Sequence, residues 1–196
     1  MKKDELQIEK FMLQKNLICE RFTKTEMRHC KTPDFKIIKD EKLCFYCEVK
    51  SIKKDDFIGG CREDPVFNRL TNDIHTAVKQ FENVNPELIT PNVLVFVNHD
   101  KRCGFFDLLS VITGNFHGAN GKNSPIYKKF SDGRIKNEKN KIHLYIWLDD
   151  HKPMRFFWMK YNIAFFYLLC EYFGEDPNNI KILNQKKEKK GSGLKF

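Results

Sequence analysis

The 196-residue sequence contains no long uninterrupted apolar run. Its amino terminus, MKKDE, is charged and no continuous apolar stretch follows it, which argues against a signal peptide and predicts a cytoplasmic protein. The most apolar segment, 156–173, is interrupted by Lys160, Asn162 and Glu171. These polar residues favour a buried or partner-facing helix over a membrane span, so we expect no membrane contact.

The seven cysteines follow no regular framework, and no internal repeat is visible. Scattered thiols in a chain of this size fit reduced cysteines better than a disulfide scaffold. Cys44 and Cys47 look like a zinc or redox pair, but three positions along a strand would send the two sulfurs to opposite faces. No second Cys or His pair stands at a suitable spacing. We therefore expect cysteines that pack in the core.

The segment 118–123 faintly resembles a phosphate-binding loop but lacks two of its requirements. Phe116 stands where the first glycine belongs, and Asn123 replaces the Ser or Thr that would bind magnesium. A mobile surface loop is favoured. Three nearby lysines are candidates for contacts with a phosphate backbone: Lys122, Lys128 and Lys129.

Acidic residues are outnumbered by basic ones, 26 against 35, which leaves a formal charge of +9. Such an excess attracts nucleic acid, although an anionic membrane would also fit. The segment 185–196 contains five lysines against one glutamate, so the rest of the chain carries about +5. The length favours one domain, residues 1–184, followed by a basic flexible tail, residues 185–196.

Hydrophobic periodicity predicts an α/β protein with a mixed central sheet flanked by helices. An amphipathic helix is expected over about 4–22, and a hairpin should join strands 34–39 and 43–52 through the three-residue loop Asp40-Glu41-Lys42. The run 92–97 is apolar beyond its first position, as in a central strand. The other expected elements are short strands at 25–30, 142–148 and 179–183 and helices at 65–84, 105–113 and 156–173.

Strand geometry brings three charged residues of the hairpin together. Glu48 and Lys50 lie two positions apart and so project from one face, which Cys44 and Tyr46 share. A hairpin centred on the middle loop residue pairs positions whose numbers sum to 82, so Asp34 should lie opposite Glu48. Cross-strand neighbours have β-carbons only about 5 Å apart. Two carboxylates and an ammonium group should therefore converge.

Two carboxylates at this separation repel each other unless a cation lies between them. Mg²⁺, or Mn²⁺, suits hard oxygen ligands and usually takes only one or two protein carboxylates. Asp34 and Glu48 are thus candidate metal ligands, and the carbonyl of Val49 would add a third. Lys50 is placed to orient an attacking hydroxide and to steady a phosphate. The alternative is a surface hairpin with an ordinary salt bridge between Glu48 and Lys50.

Pro33-Asp34 followed by Glu48-Val49-Lys50 resembles the signature of the PD-(D/E)XK, or restriction-endonuclease-like, nuclease superfamily. The resemblance implies an αβββαβ core, here with a C-terminal α/β extension. It also implies that Asp34 and Glu48 bind metal, that Lys50 is the catalytic lysine, and that the substrate is a nucleic acid, DNA in the first instance.

Members of this superfamily often add a glutamate from the first helix and a Gln or Lys from the helix after Glu-x-Lys. Glu9 is the first candidate for the former and Glu20 the second. For the latter, Gln80 borders the apolar stripe of helix 65–84 and is favoured as the catalytic residue. Lys79 points away from that stripe and is a candidate nucleic-acid contact.

Three further expectations concern binding and alternatives. His99-Asp100 follows the central strand and is expected to be a hydrogen-bonded turn pair in preference to a catalytic pair. An exposed face of the aromatic helix 156–173 would mark a homodimer interface. The alternatives to a nuclease are a nucleic-acid-binding module without turnover and a protein-interaction adaptor that needs no metal.

Overall fold

A computed structural model describes residues 3–54, 65–117, 122–149 and 152–180. Its main sheet has six strands in the order β1-β2-β3-β4-β7-β8. The β3–β4 and β4–β7 pairings are parallel and the other three are antiparallel, so the sheet is mixed. The elements are α1 (Lys3–Gln14), β1 (Ile18–Glu20), α2 (Lys24–His29), β2 (Phe35–Lys39), β3 (Lys42–Ile52), α3 (Pro65–Val84), β4 (Asn92–Asn98), α4 (Phe105–Thr113), β5 (Asn115–His117), β6 (Asn123–Pro125), β7 (Leu144–Asp149), β8 (Arg155–Trp158) and α5 (Ile163–Phe173).

Helices cover both faces of the sheet, which confirms the predicted α/β class. One apolar cluster joins the sheet to α1 and α5, and the other joins its opposite face to α3 and α4. Strand β4 lies between the two parallel pairings and is buried at every position. Its lack of alternation has the predicted cause, because both of its faces are covered.

The predicted helix 65–84 is confirmed as α3. The apolar residues that recur at helical spacing all lie in the cluster between α3 and the sheet. They are Phe67, Leu70, Ile74, Ala77, Val78 and Phe81. One flank of α3 is thereby turned towards β3, which carries Glu48 and Lys50.

The predicted helix over 4–22 is wrong beyond its first three turns. Helix α1 ends at Gln14, and Asn16 adopts a left-handed conformation with φ of 57° that turns the chain back. Leu17 is buried as predicted, but it precedes strand β1, which pairs with β2. The helical spacing of Leu17 indicated only that this residue is buried in the core. A residue immediately before a strand can be buried equally well, so the spacing did not show that the helix continues.

The expected strand at 25–30 is also wrong, because this segment forms the short helix α2. Thr23 caps it: its hydroxyl accepts a hydrogen bond from the Glu26 amide, and the Glu26 carboxylate accepts one from the Thr23 amide at 2.7 Å. This reciprocal arrangement is a capping box. The helix follows the edge strand β1 and precedes the hairpin.

The hairpin is present, but its turn has two residues instead of three. Asp40 and Glu41 both have positive φ, 48° and 62°, as in a type I′ turn. A β-bulge beside Ile37 then shifts the register by one residue. The pairs nearest the site consequently sum to 82, as predicted, and Phe35 lies opposite Cys47.

The bulge also changes the face of the sheet on which the hairpin cysteines lie. Cys44 and Cys47 were expected on opposite faces, yet both are buried in the cluster that contains α1 and α5. They are core cysteines, as predicted. The six cysteines in the described ranges form no disulfide.

The aromatic segment 156–173 is not a single helix. Its first residues belong to strand β8, and α5 begins only after Asn162, whose side chain accepts a hydrogen bond from the Phe165 amide at 3.2 Å. Helices in the described residues are all too short or too polar to cross a membrane. Ile163 and Tyr167 are more than half exposed on α5, and homodimerisation through this surface stays a prediction.

The remaining predicted elements are partly outside the described residues. Strand 142–148 is present as β7, displaced to 144–149, and α4 has the predicted bounds. The polar segment before β7 contains the small β5–β6 hairpin. Residues 179 and 180 are not in a strand. The rest of the expected strand 179–183, the tail 185–196 and most of the loop 118–123 lie outside the described ranges.

Candidate active site

The hairpin brings Asp34, Glu48 and Lys50 into one hydrogen-bonded group. The Asp34 amide donates to Glu48 Oε2 at 3.0 Å, and Lys50 Nζ donates to Glu48 Oε1 at 2.5 Å. Glu48 is only 3% exposed and has Lys50 beside it, so the charges lie at the edge of the core and not on an open surface. The predicted convergence of the three residues is confirmed as geometry.

Val49 links the backbone of β3 to this group. Its amide donates to Oδ2 of Asp34, the residue immediately before β2, at 2.8 Å. In an antiparallel ladder the N–H and C=O of one residue point to the same side of the strand. The Val49 carbonyl is therefore directed to the side of Asp34, as a third oxygen ligand would require.

Helix α3 contributes the next side chain, Gln80. Its Oε1 accepts a hydrogen bond from Lys50 Nζ at 3.0 Å, and its Nε2 donates to the Thr32 carbonyl at 2.8 Å. Gln80 thus connects the catalytic-lysine candidate to the segment before Asp34. Gln80, and not Lys79, therefore adjoins Lys50, since Lys79 is exposed on another side of the helix. The catalytic role of Gln80 stays a prediction.

Charge in the group is unbalanced. Burial and the neighbouring Asp34 carboxylate raise the pKa of Glu48 to about 7, and Lys50 offsets them only in part. A divalent cation would remove the repulsion between the carboxylates. The donor set fits magnesium, which needs few protein ligands and retains several waters, although the described residues contain no cluster of three or more metal-ligating side chains.

Asp73 is a site neighbour that the sequence argument did not select. It lies seven residues before Gln80 and thus two helical turns away on the same flank of α3. Burial raises the pKa of Asp73, while the nearby Lys50 and Arg69 lower it. The i, i+7 spacing from Gln80 was the available signal.

The two first-helix candidates lie elsewhere. Glu9 Oε1 accepts a hydrogen bond from Arg21 Nη2 at 2.9 Å, and Arg21 also pairs with the buried Glu5. Glu20 is in strand β1, not in a helix, and lies 3.6 Å from Lys36 Nζ. The structure therefore places both predicted glutamates in ion pairs outside the hydrogen-bonded group of Glu48.

The other predicted nucleic-acid contacts are exposed but are not gathered around Lys50. Lys128 and Lys129 belong to a one-turn helix, where Lys129 Nζ lies 4.7 Å from the centre of the Phe130 ring. The following segment packs along the opposite flank of α3, through contacts such as His75 Nδ1 to Glu138 Oε1 at 2.8 Å. Lys122 is exposed just before β6.

His99 and Asp100 belong to two separate networks. His99 Nε2 lies 3.0 Å from Asp4 Oδ2, which also accepts a hydrogen bond from the Ser51 hydroxyl at 2.5 Å. Asp100 is bound by Arg102. The predicted hydrogen-bonded turn is confirmed, because the Cys103 amide donates to the Asp100 carbonyl at 3.0 Å, and these side-chain partners add to it.

Comparison of the chain with protein-family models, curated proteins and solved structures found no match. The site geometry must therefore carry the functional argument by itself.

Proposed function

We propose that the chain is a metal-dependent nuclease that hydrolyses phosphodiester bonds of nucleic acid, with DNA as the first substrate to test. The observation that carries the proposal is the contact of buried Glu48 with both the Asp34 backbone and Lys50. An ordinary surface salt bridge would not need a second carboxylate, or burial that raises the pKa of Glu48 to about 7.

The residues divide the work as follows. Asp34, Glu48 and the Val49 carbonyl supply oxygen ligands for Mg²⁺ or Mn²⁺. A cation held by these oxygens would supply a water of lowered pKa and would offset charge that develops on phosphate. Lys50 holds an oxygen of the scissile phosphate or the attacking water, and Gln80 fixes the position of the ammonium group.

Two further observations support this function. The element order α1, β1, β2, β3, α3, β4 follows the αβββαβ pattern of the PD-(D/E)XK superfamily, with α2 inserted between β1 and β2. The surplus of nine positive charges favours encounter with a polyanion. A binding module without turnover shares the charge, but it has no physical need for a buried carboxylate beside a second, partly buried one.

Cleavage assays test the proposal. The purified chain is incubated with supercoiled plasmid, linear duplex, single-stranded DNA and RNA, in EDTA or in Mg²⁺ or Mn²⁺. We expect cleavage that requires metal and disappears in Glu48→Gln and Lys50→Ala. Lys42→Ala, at the far end of β3, is the matched control and should cleave normally. An inert wild-type chain on all substrates would contradict the proposal.

A further inference from the structure

A second feature adjoins the candidate active site: a cavity of about 440 Å³ between α2, the segment that follows it and α3. The cavity is open to solvent, as a groove that takes one unit of a polymer would be. Its lining combines one apolar side chain with cationic and polar ones: Met27, Arg28, Cys30, Lys31, Thr32 and Gln80.

The cavity and the candidate active site have a common wall. Gln80 lines the cavity, yet its Oε1 accepts the hydrogen bond from Lys50 and its Nε2 donates to Thr32. Asp34 follows Thr32 by two residues. A polymer whose phosphate lay at Lys50 would therefore place a neighbouring unit next to this cavity.

The cations of the cavity are available for a ligand. Within the described ranges, Arg28 and Lys31 form no ion pair, and both are exposed. The acidic residue of the same helix, Glu26, is already bound to Lys36 at 2.7 Å. Met27, also at the cavity, is 59% exposed and offers an apolar surface beside the two charges.

The wall is held in place before any ligand arrives. Asn83 Nδ2 donates to the Lys31 carbonyl at 2.7 Å, and Gln80 makes the equivalent bond to Thr32 at 2.8 Å. These two bonds tie the segment between α2 and β2 to α3. Supporting contacts of this kind reduce the ordering cost of binding.

We infer that this cavity binds the nucleotide next to the scissile phosphate on the cleaved strand. Arg28 and Lys31 contact the phosphate of that nucleotide, and Met27 packs against its sugar or base. The inference rests on the proposed nuclease function for the meaning of the scissile position. It assigns a substrate-positioning role to α2, which lies between β1 and β2 in the chain.

The test compares two charge-matched double variants of the full chain. Arg28→Gln/Lys31→Gln removes the cavity cations, and Lys10→Gln/Lys42→Gln removes two exposed lysines elsewhere. Affinity for a short fluorescent oligonucleotide is measured in EDTA, in a Lys50→Ala background, over a range of salt concentrations. Removal of the two cations that contact this one phosphate should weaken binding roughly tenfold and reduce the salt slope by about 0.7–0.9. The control pair should change both values much less.

A substrate series locates the contact. Single methylphosphonate replacements on either side of the cleaved bond remove one phosphate charge at a time. For the wild-type chain, KM should rise when one particular flanking phosphate is replaced, whereas the cavity variant should have a high KM that this replacement does not change. In both proteins kcat should stay within a few-fold, because the cavity positions substrate and does not perform the chemistry.

Three outcomes separate this inference from the proposed function. If the wild-type chain cleaves but both double variants have the same KM and salt slope, the cavity inference is wrong and the nuclease proposal stands. If the chain cleaves nothing but the cavity variant alone loses affinity, the nuclease proposal is wrong, and the cavity is a nucleic-acid site without the assigned scissile position. Cleavage with equal sensitivity of both proteins to every methylphosphonate also overturns the inference.

Discussion

Glu48 and Asp100 are both buried carboxylates beside basic side chains, yet their electrostatic states are opposite. Asp100 accepts hydrogen bonds from the Arg102 amide at 3.0 Å and the Arg102 guanidinium at 3.2 Å, and Arg69 lies 3.5 Å away. Burial alone would raise the pKa of Asp100, but these cations and hydrogen bonds outweigh it and hold the pKa below its usual value.

Glu48 is equally shielded from solvent, at 3% exposed against 2% for Asp100, but loss of solvation raises its pKa more strongly and fewer positive charges oppose it. Burial and Asp34 raise its pKa, and Lys50 is the cation that opposes them. The folded chain alone supplies enough hydrogen bonds and positive charge to stabilise the ionised form of Asp100, as expected of a structural ion pair. The Glu48 group still lacks positive charge, which is the condition expected of a site that binds a cation.

The largest expected effect is on catalysis. If variants of the Glu48 group and of Asp100 lost activity equally, the distinction between the two groups would be wrong. Lys50→Ala should lower kcat for cleavage by roughly 10²–10³-fold, as losses of one transition-state contact do. Asp100→Asn should leave the rate per folded molecule unchanged. Single-turnover assays on both variants, corrected for the folded fraction, provide the measurement. An equal loss in Asp100→Asn would assign Asp100 to the active site.

For the free energy of unfolding we expect the opposite order: substitution of Asp100 should cost more than substitution of Glu48. Asp100→Asn removes the negative charge that accepts hydrogen bonds from Arg69 and Arg102, and should lower the free energy of unfolding by about 1–2 kcal/mol, because Arg102 is itself more than half exposed. Urea denaturation measures the change, and Glu87→Gln, which removes one negative charge at an exposed position, is the control. A loss below about 0.5 kcal/mol, the range of ordinary surface substitutions, would show that this network is not structural.

Glu48→Gln should instead stabilise the metal-free chain at alkaline pH. The folded-state pKa of Glu48 lies at about 7, above the usual glutamate value of 4.5. Its ionisation therefore costs stability progressively as pH rises through that window. The variant lacks this loss, so it should match wild type near pH 4 and exceed it by roughly 2–3 kcal/mol above pH 7.

Denaturation of both proteins in EDTA across this pH range is the measurement. Addition of Mg²⁺ should narrow the gap, because the cation stabilises only the chain that retains the glutamate. A gap that does not depend on pH would mean that the charge of Glu48 is compensated without metal.

The smallest effect concerns the turn that sets the register of Asp34 against Glu48. Glu41 has φ of 62°, a conformation that favours glycine. Glu41→Gly should raise the free energy of unfolding by about 0.5–1 kcal/mol without altering cleavage. Glu82→Gly, within α3, should have the opposite sign and is the control. Loss of stability in Glu41→Gly would contradict the two-residue turn.

Much of the site was predictable because strand geometry is local. Alternation places Glu48 and Lys50 on one face, and the pairing that sums to 82 holds next to Asp34. That register was reached with a wrong turn length. Cys44, the extra residue of the bulge opposite Ile37 and Ile38, offsets the shorter turn and returns the pairing to a sum of 82. The sequence pattern does not indicate this bulge.

Other features depend on distant contacts or on signals that were overlooked. Thr23 and Glu26 have the spacing of a capping box, so α2 was predictable from the sequence. The end of α1 at Gln14, before the left-handed Asn16, was not, because a buried Leu17 also fits a helix that continues. Glu9 lies beside Leu6 and Leu13, which are exposed, whereas the buried apolar residues of α1 are Ile8 and Met12. Its pairing with Arg21 depends on the position of the following strand.

The central claim, that Asp34 and Glu48 hold a divalent cation, is tested most directly by Mn²⁺ binding without substrate. Electron paramagnetic resonance distinguishes free from bound Mn²⁺. Binding should be present in the wild-type chain and in Asp100→Asn, and it should be lost in Asp34→Asn and Glu48→Gln. Binding that is undiminished in the last two variants would contradict the account.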